Sequence, residues 1–163
     1  MDLLAFLATV PLFADMSADE RARLAGWFTR RAVAAGEVVL WEGRPHQSLF
    51  VVVEGRIVVS KRIRGETEAV LAHLDPGAHF GEIDLIDSQS ASASVTAETP
   101  VTLLELDQDR LREILASDER LFSAFAWALL RDLTSKLRRT NERLQETIVW
   151  GLDATASDPS EFR

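Results

Sequence analysis

The rhythm of hydrophobic and polar positions changes twice along the chain. At the start it is helical. "LLAFLATV" predicts a short apolar helix stopped by Pro11, which cannot continue it. "SADERARLAGWF" carries a capping box, Ser17 with Glu20 three residues on, and Leu24, Trp27 and Phe28 supply an apolar face at helical spacing.

After Thr29 the runs become short and β-rich. Strands are predicted at about 29–34, 37–41, 48–53, 56–63, 67–74, 92–98 and 101–106. Gly36, "EGRP" at 42–45, "EGR" at 54–56, Gly65 and "DPG" at 75–77 punctuate them. Many short strands at regular spacing predict a sandwich or closed roll, and the lack of helical crossovers argues against a parallel sheet.

The last change is back to helix. Asp107 is expected to cap "DQDRLREIL", and Ser117 a second helix with Asp118 and Glu119 in its first turn. Helical periodicity then runs to about Val149, where Leu130, Leu133, Leu137 and Leu144 form one seam and Thr140 and Thr147 complete a heptad-like pattern. Such a helix is about 45 Å long, more than a small domain needs for its own core. Gly151 is expected to end it and leave a polar tail. The expected organisation is a helical segment at 1–28, a β-roll at 29–106, lid and dimer helices at 107–150 and a tail at 151–163.

Composition narrows the function classes. The net charge of −8 argues against general binding to nucleic acid or an anionic membrane. With no cysteine, disulfides, thiolate zinc sites and thiol nucleophiles are excluded. Leu3 to Val10 is too short to span a bilayer and lacks a basic leader. A soluble cytoplasmic protein is expected. The four Trp residues, at 27, 41, 127 and 150, read as mostly core, with Trp150 also placed to meet a partner. Lys136, Arg138, Arg139 and Arg143, interleaved with Glu142 and Glu146, read as a solvated helix face.

Four stretches carry a family resemblance: "VAAGEVVLWEG", "SLFVVVEGRIVVSKR", "LDPGAHFGEIDLI" and "SASVTAETPVTLLELD". Together they resemble the cyclic nucleotide-binding domain over about residues 10–145, with Gly36, Gly43, Gly55, Gly77 and Gly81 at the family's spacing. The resemblance implies a mainly β fold with flanking helices, a double-stranded β-helix (jelly-roll) with N-terminal helices and a long C-terminal helix. It implies that Phe80 to Ala97 is a phosphate-binding cassette. In it, Glu82 would accept from a ribose hydroxyl beside Phe80, Gly81 and Ile83, and the N–H groups of Ser92 and Ala93 would approach the cyclic phosphate. "GEIDLI" itself can form one helical turn whose N–H groups face an anion. The resemblance also implies purine contacts from Thr140 and Asn141; as residues alone, they read as a polar break that sets the register of a dimer seam.

One position departs from the pattern. The family's phosphate-binding arginine falls at Ala91, and Asp84 stands where a small neutral residue is usual, with Asp87 following. Losing one partner of a desolvated charge pair typically costs about 2–5 kcal/mol, roughly 30-fold to several-thousand-fold in affinity. Arg44, after "WEG", is the candidate substitute cation.

The expected role is a stand-alone, non-enzymatic regulatory module. It would sense cyclic AMP, cyclic GMP or another small anion, need no cofactor, form a homodimer through the final helix and signal to a partner protein. The alternative is a degenerate domain kept as a dimerisation and interaction platform. A minor alternative is a metal-dependent cupin-type enzyme, suggested by "DPGAHFGE"; that class needs a close His-x-His pair, which neither His46 nor His73 supplies. The serine-rich run 88–94 reads as a solvated loop and edge strand, since no Ser–His pattern accompanies it.

Overall fold

The structure, a computed structural model, describes residues 2–64, 67–87 and 90–156, with the side chains at 64 and 149–156 outside that description. Gly65, Ser88 and the side chain of Trp150, each given a reading above, lie outside the described residues. Two compact units are present, Met1–Ala128 and Leu129–Arg163.

In the first unit, α1 (Leu3–Thr9) ends before a 3-10 turn at Pro11–Phe13, and α2 (Ala18–Ala25) follows. The Ser17–Glu20 capping box is formed in both directions. Eight strands follow among the described residues: β1 (Thr29–Val33), β2 (Val38–Leu40), β3 (Ser48–Glu54), β4 (Ile57–Arg64), β5 (Thr67–Leu74), β6 (His79–Phe80), β7 (Ser94–Ala97) and β8 (Val101–Asp107). They form two antiparallel four-stranded sheets, in the orders β1-β8-β3-β6 and β2-β7-β4-β5. This is the jelly-roll expected from the sequence, with the added strand β6 and a short helix α3 (Glu82–Asp87) between β6 and β7.

Strand alternation divides the core. Val33, Phe50, Val52 and Leu103 meet Val39, Leu40, Ile57, Phe80, Ala91, Val95, Ala97 and Val101 in one cluster inside the roll. Leu49, Val51, Leu104 and Leu106 alternate onto the other face of the first sheet and are fully buried, as are Leu7, Phe13 and Leu24 of the N-terminal segment and Ile114, Leu121 and Phe125 of the later helices. Phe13 sits 6.0 Å from Phe28 and 6.4 Å from Phe125, ring centre to ring centre.

Several expectations change. The first compact unit runs to Ala128, and α4 (Gln108–Ser117) and the first turns of α5 (Glu119–Ala156) bury Ile114, Leu121 and Phe125. Asp107 caps α4 as expected, accepting from the Arg110 N–H. The cap of α5, however, is Asp118, not Ser117: Asp118 accepts from the Leu121 N–H, while Ser117 ends α4 and its hydroxyl donates to the Glu113 carbonyl. A carboxylate bonds strongly to a helix N–H, and this one also pairs with Arg23 of α2. Gly151 does not end α5, which runs to Ala156; the rest of the predicted tail, 157–163, lies outside the described residues. A single glycine costs a helix only about 1 kcal/mol. Trp41 and Trp127 are not core residues; they are 54% and 58% exposed.

Candidate functional site

The cassette begins where β6 leaves the roll. Phe80 stacks on Phe50 of β3, ring centres 5.0 Å apart, and is buried. Gly81 turns the chain with φ +82°, and a Cβ there would stand 2.3 Å from the Ser48 carbonyl oxygen. Only glycine fits, because the conformation is left-handed and the space is already filled by backbone.

One and a half turns of helix follow. The Leu85 N–H donates to the Gly81 carbonyl at 3.0 Å, and Gln108 Nε2 donates to the Leu85 carbonyl at 3.2 Å, tying α3 to the start of α4. Glu82, Asp84 and Leu85 are buried, whereas Ile83 and Ile86 are about half exposed. Glu82 and Asp84 are therefore turned inward and both isoleucines outward. Burial, then the charges of Asp87 and Glu82, push the Asp84 carboxyl above the usual carboxylate range.

The other end of the cassette is held by the loop between β2 and β3. Pro45 and Ser90 form an antiparallel bridge. Beside it, Gly43 N–H donates to the Ala91 carbonyl at 2.9 Å, and Ala91 N–H donates to the Arg44 carbonyl at 2.9 Å. Gly43 and Arg44 thus both oppose Ala91, a bulge for which Gly43 supplies φ +79°. Next along, Ser94 Oγ accepts from the Glu42 N–H at 3.1 Å. Ala91 is buried inside the roll and brings no charge. Among the described residues, no backbone carbonyl takes the N–H of Ser92 or Ala93.

Phe80, Gly81, Glu82, Ile83, Ala91, Ser92 and Ala93 therefore lie on one stretch of the first unit, joined at both ends to the β2–β3 region. Thr140 and Asn141 are exposed residues of α5 in the second unit, with the Thr140 hydroxyl donating to its own helix at Lys136. In that same unit Leu130, Leu137 and Leu144 are more than half exposed and Leu133 is half-buried.

Sequence reasoning assigned no role to His46, which sits beside this stretch. Its ring stacks on Phe50, centres 5.1 Å apart, so His46, Phe50 and Phe80 form a continuous column. Nε2 of His46 is buried and has no hydrogen-bond partner. Burial, followed by the opposed effects of nearby Glu105 and Arg31, holds the imidazole pKa below its ordinary value. The one available signal was a histidine three residues past a glycine turn and four before an inward-facing phenylalanine. His73 lies elsewhere, paired with Glu98 at 3.3 Å, so His46 and His73 are not neighbours in a metal pair.

Comparison with known proteins matches residues 30–118 to the cyclic nucleotide-binding domain model. The CRP-like cAMP-activated global transcriptional regulator of Mycobacterium tuberculosis is 31% identical over 113 residues, covering 69% of this chain and 49% of the relative. A cAMP-dependent protein kinase regulatory subunit of Yarrowia lipolytica is 34% identical over 110 residues, 68% of this chain and 28% of its own length. The chain thus spans about half or less of these relatives. The crystal structure of a cyclic nucleotide-binding domain from Methylobacillus flagellatus superposes with a TM-score of 0.77 at 28% identity, covering 89% of this chain and 82% of that one.

Proposed function

The chain belongs to the cyclic nucleotide-binding domain family, and from that premise we propose that it is a regulatory module whose cassette takes a cyclic nucleotide and whose long helix α5 carries the response to a partner protein. The observation that supports this most is the cassette's backbone. Gly81 keeps the left-handed turn that presses the chain against Ser48, and the Ser92 and Ala93 N–H groups are left without backbone acceptors among the described residues. Such N–H groups are neutral dipoles, able to meet an anion without a cassette arginine. Nothing in the reading requires a catalytic group. Among the described residues no helix is long and apolar enough to cross a membrane.

Ligand binding to the native state raises stability by about 2.7 kcal/mol at a hundredfold excess over Kd. For a chain of this size that is a rise in Tm on the order of 5 °C or more. Saturating cyclic AMP or cyclic GMP should produce this rise, and 5′-AMP should not. An unmoved Tm with both cyclic nucleotides would contradict the reading.

A second reading has its own support. Ala91 brings no cation, and the buried acids Glu82 and Asp84 disfavour an anion nearby. Under it the roll no longer binds nucleotide and serves as a platform for dimerisation and partner binding. It predicts no Tm response to any cyclic nucleotide together with a stable dimer.

A further inference from the structure

An anionic ligand in the cassette needs a positive charge, and Ala91 does not supply it. The cation need not come from the cassette itself. It can come from the β2–β3 loop that hydrogen-bonds to it.

The bulge at Gly43 places Arg44 directly across from Ala91. The arginine absent from the cassette position is thus present on the loop segment that hydrogen-bonds to it. The Pro45–Ser90 bridge and the Glu42–Ser94 hydrogen bond fix this register on both sides. It cannot slip without breaking both.

The state of the side chain fits a waiting cation. Two other arginines of the roll are engaged with carboxylates: Arg31 with Glu37 at 3.8 Å and Glu105 at 4.0 Å, and Arg56 with Asp75 at 2.8 Å. Arg44 is exposed, and among the described residues no carboxylate pairs with it. Its guanidinium carbon rests 5.9 Å from the centre of the exposed Trp41 ring. An exposed cation–π contact is a weak restraint. A phosphodiester oxygen offers a guanidinium a stronger, charge-assisted partner.

We propose that Arg44 is the phosphate-binding residue of this cassette, leaving the Trp41 ring to pair with the anionic phosphodiester when a cyclic nucleotide binds. The assignment rests on the reading that the cassette takes such a ligand, and it names the residue that makes that possible. It also gives Trp41 a function: it holds the guanidinium beside the site while the site is empty.

The test is calorimetric titration of cyclic AMP and cyclic GMP, at fixed salt, into wild type, Arg44→Gln, Arg44→Lys, Ala91→Arg and the double variant Arg44→Gln/Ala91→Arg. Arg44 is exposed, so Tm should be unchanged in its single variants and reports any folding defect. The expected result is that wild type binds, Arg44→Gln weakens affinity about 30-fold or more, Arg44→Lys recovers part of the loss, and Ala91→Arg restores binding in the double variant. If wild type and Arg44→Gln bind equally, the assignment of Arg44 is overturned and the cyclic nucleotide reading stands. If only variants with Ala91→Arg bind, Arg44 does not replace the lost charge and the wild-type chain is not a cyclic nucleotide sensor. If no variant binds, both the assignment and the reading fall.

Discussion

Gly81 and His46 show how single residues set the cassette. At Gly81 both the left-handed φ of +82° and the Ser48 oxygen 2.3 Å from a would-be Cβ exclude a side chain. Gly81→Ala should lose more than about 1 kcal/mol of stability in urea denaturation, together with nucleotide binding; an unchanged midpoint would show that the turn relaxes at no cost. His46 makes stability pH-dependent. Its native pKa lies below the ordinary value because the ring is buried, with Glu105 and Arg31 as its charged neighbours. The unfolded chain therefore takes up its proton first as pH falls, so this contribution is present above the ordinary histidine pKa of about 6.5 and is lost as pH drops through the lowered native value. His46→Phe keeps a ring on Phe50 and should flatten the stability profile over that window. A profile as steep as wild type would place the titration elsewhere. The turn at Gly81 was legible in the sequence, because "HFGE" announces it. The burial of Asp84 was not. Asp84 follows Glu82 by two residues, about 200° around a helix, so helical periodicity alone does not place both carboxylates among the buried residues.

Elements were read more securely than their ends. The seven predicted strands all form, because period-two alternation between turn residues is a local signal. Strand β6 is only two residues long, and it exists because β3 offers it a partner at Phe50 and Val51. That pairing joins distant parts of the chain, so no local pattern marks it. The same holds for the cap of α5. Ser117 and Asp118 are both good caps, and the choice fell to Asp118, which also reaches Arg23. Where the cap is local the sequence sufficed: Ser17 and Glu20 form the capping box of α2. Ser17→Ala should cost about 1 kcal/mol, seen as a lower denaturation midpoint. No change would mean that packing of Leu7, Phe13 and Leu24 alone fixes this helix.

At the scale of the whole molecule, the roll satisfies itself and α5 does not. Leu130, Leu137, Leu144 and Ile148 are 53–61% exposed in a single chain, at the spacing of a helical seam. A seam of this kind is expected to be covered by a second copy. Wild type should sediment as a dimer, and Leu137→Glu should raise the dimer dissociation constant at least about tenfold without lowering the stability of the roll. A monomeric wild type would remove the dimer from the account. The leucine spacing of α5 was legible in the sequence. What the sequence left open was the fate of the missing cassette charge, since the Gly43 bulge that sets Arg44 across from Ala91 is a property of the paired strands.

The central claim is that residues 80–93 bind a cyclic nucleotide. A two-dimensional NMR titration of the isotopically labelled chain with cyclic AMP and cyclic GMP tests it most directly. The account predicts saturable shifts that are largest at the amides of Gly81, Glu82, Ser92 and Ala93, with the Arg44 side-chain signal moving in step. Amides in the cassette that stay fixed while both ligands reach millimolar concentration would contradict it.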